Sequence, residues 1–103
     1  MALKLKQLTP ITITTAGTRV QVSATQLLAT SVIFQSDPLN TGKVYIGDSA
    51  VTSVNGLALA AGESCSITPE AVRGNFTDID LSDIWVDSSV NANVVRVSYL
   101  SQK

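Results

Sequence analysis

Apolar and polar residues alternate with a period of two through most of this chain. In "ALKLKQL" Leu3 and Leu5 alternate with Lys4 and Lys6, and in "PITIT" Ile11 and Ile13 alternate with threonines. "TRVQVS" sets Val20 and Val22 against Arg19 and Gln21. "TSVIFQS" offers Val32 and Phe34, and "KVYIG" offers Val44 and Ile46 with Lys43 and Tyr45 opposed. The same rhythm pairs Cys65 with Ile67 in "SCSIT" and Ile84 with Val86 in "DIWVD", and sets Val95, Val97 and Tyr99 against Arg96 and Ser98 in "NVVRVSYL". Two-residue alternation rich in β-branched side chains marks strands packed on one face and wet on the other.

Turn residues fall between these segments. Asp37-Pro38, Asn40-Thr41-Gly42, Gly47-Asp48, Asn55-Gly56, Ala61-Gly62 and Asn91-Ala92-Asn93 separate the strand candidates. Asn and Gly tolerate positive φ, and Pro presets the first turn position. Asn55-Gly56 reads as a type I′ hairpin turn joining "TSV" to "LAL". Strands at this spacing predict an all-β protein, an antiparallel β-sandwich, jelly-roll-like, of about seven to nine short strands. Two stretches compete as helix. Residues 23–31 are short and end in β-branched residues. "TPEAVRG" (68–74) carries a cap at Thr68, Pro69 at the first helical position and Gly74 as a stop, which predicts one helical turn at most.

At 103 residues the chain is one domain. The segment 1–17 reads as a first strand, or as an arm laid on a neighbour, and 18–103 as the sandwich. Aromatics are only 5% of the sequence, so the core is aliphatic, and charged residues are 15%, below the usual ~25%, leaving much of the surface to Ser, Thr, Asn and Gln. The net charge of −1 and the scattered basic residues argue against nucleic-acid binding, which needs clustered Lys and Arg. No apolar run approaches the ~20 residues of a membrane helix, and "MALKLKQL" is too short and too alternating for a signal peptide, so synthesis in a cytoplasm is the expectation.

Candidate chemistry is sparse. The chain has no histidine, which removes the Ser-His-Asp triad, the imidazole base and the usual zinc sets. Cys65 is the single cysteine, so no intramolecular disulfide forms, and a buried, inert thiol is expected. The acidic run "FTDIDLSDIWVD" holds Asp78, Asp80, Asp83 and Asp87, but its spacing matches no calcium loop and no bidentate glutamate follows. The reading is therefore of a non-enzyme with no cofactor and no metal. Trp85 lies opposite Ile84 and Val86, so it points outward if they point inward, and an outward indole on a weakly charged face marks a contact.

The blocks "TRVQVSAT", "SVIFQSDPLNTGKVYIGDSAV", "NGLALAAGESCSI" and "DLSDIWVDSSVNANVVRVSYL" together resemble small structural proteins of tailed bacteriophages. The resemblance covers residues 18–100. It rests on an Asp-Pro-x-Asn-Thr-Gly turn into a strand ending Gly-Asp-Ser (Asp37, Pro38, Asn40, Thr41, Gly42, Gly47, Asp48, Ser49) and on a Leu-Ala-x-Gly-Glu-Ser step (Leu59, Ala60, Gly62, Glu63, Ser64). It implies a β-sandwich on the virion, a head decoration or cement protein that stabilises the capsid as a homotrimer through contacts with the major capsid protein. The alternative is a head-fibre or tail-associated module that grips a host-surface glycan or protein, using Tyr45, Trp85 and Tyr99. Neither reading involves nucleic acid or membrane. The expected interface residues are Leu3, Lys4, Leu5, Lys6 and Leu8 of the arm, with Tyr45 and Trp85.

Overall fold

Among the described residues the alternating segments form eleven strands, three of them only two residues long, and one 3-10 turn. A computed structural model describes residues 4–68 and 79–101. In chain order the elements are β1 (Lys4–Gln7), β2 (Ile11–Ile13), β3 (Val20–Gln21), β4 (Leu28–Ala29), β5 (Ser31–Ser36), β6 (Val44–Gly47), β7 (Leu57–Leu59), β8 (Ser64–Ile67), β9 (Ile79–Asp80), the 3-10 turn Leu81–Asp83, β10 (Trp85–Ser88) and β11 (Asn93–Ser101). Every pairing is antiparallel.

Two sheets carry the fold. The first has the order β1-β11-β5-β8, with β2 also on β11. Val95 pairs with Ile11 on one side and Ser36 on the other, so β1 and β2 follow one another along the same flank of β11. The second sheet has the order β3-β10-β6-β7, and β4 pairs with β9 as a separate ribbon. Only β6 and β7 pair as sequence neighbours. The architecture is an antiparallel β-sandwich, as the alternation predicts.

Register explains what is buried. Val32 and Phe34 of β5 lie opposite Tyr99 and Val97 of β11, and Ile67 and Cys65 of β8 continue the same rows. From the second sheet Val44, Ile46, Leu59 and Val86 face them, and Ile13, Val22, Ala29 and Leu81 complete the cluster. Phe34 is its largest fully buried side chain. The core is aliphatic because the alternating positions are Val, Ile and Leu, whose burial is worth roughly 1.5–3 kcal/mol each.

The turn after β5 is held by side chains. Asp37 Oδ1 accepts from Leu39 N–H at 2.9 Å, the Asx turn expected of an Asp-Pro start. Asn40 then acts as a substitute strand partner. Its Oδ1 accepts from Val94 N–H at 2.8 Å, and its Nδ2 donates to Val94 C=O at 2.8 Å and to Ser36 Oγ at 2.9 Å. Val94 C=O also accepts from Asp37 N–H at 3.1 Å, so the acceptor that Asn40 alone supplies is the one for Val94 N–H, where the β5–β11 ladder ends. Arg96 Nη2 lies 3.4 Å from Asp37 Oδ2 across the same turn.

One local reading, the Asn55-Gly56 hairpin, changes. Asn55-Gly56 does not join paired strands, because residues 52–54 form no strand and β7 pairs with β6. Nor is it a type I′ turn, since neither residue has positive φ. Residues 23–31 are not helical but lead into β4. Leu5 faces out, because pairing with Leu100 places it on the outer face and leaves Lys6, opposite Tyr99, on the inner one. The helical turn expected at 68–74 lies, beyond Thr68, outside the described residues, as do Leu3 and Asp78. The described 3-10 turn is Leu81–Asp83, capped by Asp80.

Asn40→Ala leaves Val94 N–H without its acceptor and should cost about 1–3 kcal/mol, the usual penalty for orphaning a half-buried backbone donor. Equilibrium urea unfolding measures this, and a loss below about 0.5 kcal/mol would show that water replaces the amide.

Candidate interaction surface

The outer face of the first sheet is large and nearly uncharged. Leu5 and Gln7 of β1, Ser98 and Leu100 of β11, Ile33 and Gln35 of β5, and Ser64 and Ser66 of β8 share it by register. Arg96 is the one charged side chain at the outer-face strand positions among the described residues. Leu5 is 63% exposed and Ile33 is 42% exposed. Gln7, Ile33, Gln35, Ser64, Arg96 and Ser98 line a depression of about 390 Å3 on this face. Alternation on β5 and β11 produces the face: the residues that fill the core force Ile33 and its neighbours outward.

The arm residues do not form one patch. Lys4 and Leu5 are exposed at the free edge of β1, Lys6 is half-buried, and Leu8 packs against the core. The described part of the segment 1–17 thus contributes β1 and β2 to the first sheet, with Leu8 N–H bonded to Val97 C=O at 3.0 Å.

Tyr45 and Trp85 share the outer face of the second sheet, since Trp85 lies opposite Gly47 and Asp87 opposite Tyr45. They are not both available there. Trp85 is half-buried, but Tyr45 is only 8% exposed. The loop 48–56 folds over it and seats Val51, itself 1% exposed, on the sheet. Asp48 Oδ1 accepts from Ala50 N–H at 2.9 Å, Asn55 Oδ1 accepts from Thr52 N–H at 2.7 Å, and Asn55 Nδ2 donates to Ala50 C=O at 3.2 Å. Gly56 is required by close approach: a Cβ there would lie 2.6 Å from Val51 Cγ2 and 3.2 Å from Ile46 C=O. Tyr99 is buried in the core. Of the three aromatics offered for glycan contact, Trp85 alone reaches the surface. The loop between Gly47 and Gly56 carries two valines in a polar run, Val51 buried and Val54 90% exposed, so the sequence alone does not single out the covering residue.

The carboxylates do not converge. Asp80 caps the 3-10 turn, its Oδ1 accepting from Ser82 Oγ at 2.7 Å, Ser82 N–H at 3.0 Å and Leu27 N–H at 3.2 Å. The Ser82 hydroxyl, then the backbone donors, hold its pKa below the ordinary carboxylate value. Asp87 is buried and accepts from Gly17 N–H at 3.0 Å and Ser88 N–H at 2.8 Å. Asp83 is exposed. No group of three metal-ligating side chains occurs among the described residues. Cys65 is half-buried opposite Phe34, and desolvation pushes its thiol up, which disfavours the reactive thiolate.

A second feature lies at the open side of the sandwich, where β7 and β8 are the edge strands. Ile46, Leu57, Ile67 and Ile84 form an apolar groove of about 250 Å3, with Asp48 and Asp83 among its lining residues. Leu57 is 55% exposed. No protein-family model matches this chain, and no curated protein or solved structure shows significant similarity to it.

Gly56→Ala should destabilise the fold by about 1–3 kcal/mol through overpacking against Val51 and Ile46, read by thermal unfolding; an unchanged midpoint would show that the loop is not seated. Acidification tests Asp80. A carboxylate with a depressed folded pKa contributes stability above its unfolded pKa and loses it as pH falls through the folded one. The stability gap between wild type and Asp80→Asn should therefore close as pH falls from about 5 to about 2. A gap constant across that window would show that the charged form of Asp80 is not what caps the turn.

Proposed function

We propose that this chain is a structural protein of a virion, a decoration or cement protein that stabilises a capsid by covering its surface with oligomeric contacts. The observation that carries the contact role is the outer face of the first sheet, where Leu5 and Ile33 are exposed and Arg96 is the one charged strand position among the described residues. A face of this kind gains by being covered: removing apolar area from water yields about 25 cal/mol per Å2, and Ser and Gln side chains around it lose no charge hydration. A partner that binds only the assembled shell stabilises it by mass action. The virion setting comes from the resemblance of residues 18–100 to small phage structural proteins, and the major capsid protein is the corresponding partner.

The glycan-gripping alternative is weaker in this geometry. Sugar sites stack a ring on an exposed aromatic, and Tyr45 and Tyr99 are buried.

The test is binding of the purified chain to heads of the virus that encodes it. Saturable, stoichiometric co-sedimentation is expected, with Ile33→Asp reducing affinity at least tenfold while leaving the urea midpoint unchanged. Heads that never bind the chain, together with glycan-array binding by the same preparation, would overturn the proposal in favour of the host-surface reading.

A further inference from the structure

The loop that covers Tyr45 carries the one Asn-Gly pair in the sequence, Asn55-Gly56. Two separate demands place it there. Gly56 is fixed by packing, since a Cβ would strike Val51 Cγ2 and lie 3.1 Å from Tyr45 Cβ. Asn55 is fixed by its side chain. Its Oδ1 accepts from Thr52 N–H at 2.7 Å and from Thr52 Oγ1 at 3.2 Å, while Nδ2 donates to Ala50 C=O at 3.2 Å. Neither residue has positive φ, so turn geometry does not ask for the pair.

Asn-Gly is the asparagine pair most prone to deamidation. Glycine has no side chain to shield its backbone nitrogen, which can reach the asparagine Cγ and close a five-membered imide. Asn55 is exposed, so water has access to it. The seated loop opposes the reaction, because Gly56 N–H is donated to Thr52 C=O at 3.2 Å and the Asn55 amide is held by Thr52 and Ala50. Reaction therefore needs local opening of the loop.

We infer that Asn55-Gly56 is a site of spontaneous, irreversible modification, and that the reaction releases the cover over Tyr45. In the opened loop the Gly56 nitrogen loses its proton and bonds to Asn55 Cγ. The Cγ–Nδ2 bond breaks, and Nδ2 leaves as ammonia with a proton in place of the one lost. Water then opens the imide. Cleavage at Cγ leaves aspartate; cleavage at the main-chain carbonyl leaves isoaspartate, whose backbone runs through Cγ and is one methylene longer. The sum is hydrolysis of one amide by one water, with no oxidant or reductant. Either product lacks the Nδ2 donor to Ala50 C=O. The longer backbone of isoaspartate also shifts Gly56 from its fit beside Val51. The seat cannot reform, so the loop is a latch that opens once. This inference goes beyond the capsid reading and does not depend on it.

Incubation of the full chain at neutral pH, followed by peptide mass spectrometry and an isoaspartate methyltransferase assay, tests the modification. Conversion is expected at Asn55 and not at Asn40, Asn91 or Asn93, whose following residues Thr41, Ala92 and Val94 all carry a Cβ. The same chain unfolded in urea should convert faster, because nothing holds the latch. Val51→Ala removes two buried methyl groups and should raise the folded-state rate about tenfold, since the rate follows the open population. Converted chain, separated by its added negative charge on anion exchange, should exchange the Val51 and Thr52 amides faster than unconverted chain. A folded chain still intact after many half-lives of the unfolded chain would overturn the modification site. Equal rates in the folded, urea-unfolded and Val51→Ala chains would overturn the latch. Unchanged exchange of those two amides in converted chain would overturn the release.

Discussion

The structure depends on the two-sided pairing of β11. Along its nine residues β11 has β1 and β2 on one flank and β5 on the other. Its inner positions, Val95, Val97 and Tyr99, all lie in the core. A register slip of one residue would turn those three outward and bring Arg96 inward, so core burial and register fix each other. Most other features are consequences. Leu5 faces outward because it pairs with Leu100, Ile33 because Phe34 faces inward, and Asn40 is needed because β5 ends while Val94 N–H of β11 still lacks an acceptor.

The topology sets a cost on this arrangement. With the single exception of β6 and β7, the strands that pair are separated in sequence by other strands. Loop-closure entropy must be met before such contacts form, which makes folding slow and exposes unpaired edges in the meantime. Lys4 and Lys6 on the edge strand β1 fit that need, because they oppose pairing between copies that are still incomplete.

Much of the fold was legible in the sequence. The segments around Val32 and Phe34, Val44 and Ile46, and Val95, Val97 and Tyr99 became strands because β-branched alternation is a strong local signal and tertiary packing reinforced it. What was illegible depended on partners far along the chain. The alternation put Leu3 and Leu5 on one face of the arm and Lys4 and Lys6 on the other, but which face turns outward was decided only by the pairing of Leu5 with Leu100. Asn55-Gly56 looked like a tight hairpin turn, but Gly56 is there to let the backbone pass Val51 and Ile46. The turn before β11 takes its positive φ at Ala92 (66°), not at the neighbouring asparagines, and Asn91 instead accepts from Ala16 N–H through its side chain. Of the candidate surface, the exposed end of β1 and the outward direction of Tyr45 and Trp85 were readable. The covering of Tyr45 was not, and neither was the groove, which gathers side chains from Ile46 to Ile84.

On the reading proposed above, the weakly charged outer face of the first sheet exists to be covered by protein. Amide hydrogen exchange, compared between the free chain and the chain bound in its assembly, measures coverage directly. Slowed exchange in residues 4–8 and 64–67, the edge strands of the first sheet, with β10 unchanged, is the predicted result; identical exchange in both states throughout those segments would contradict it.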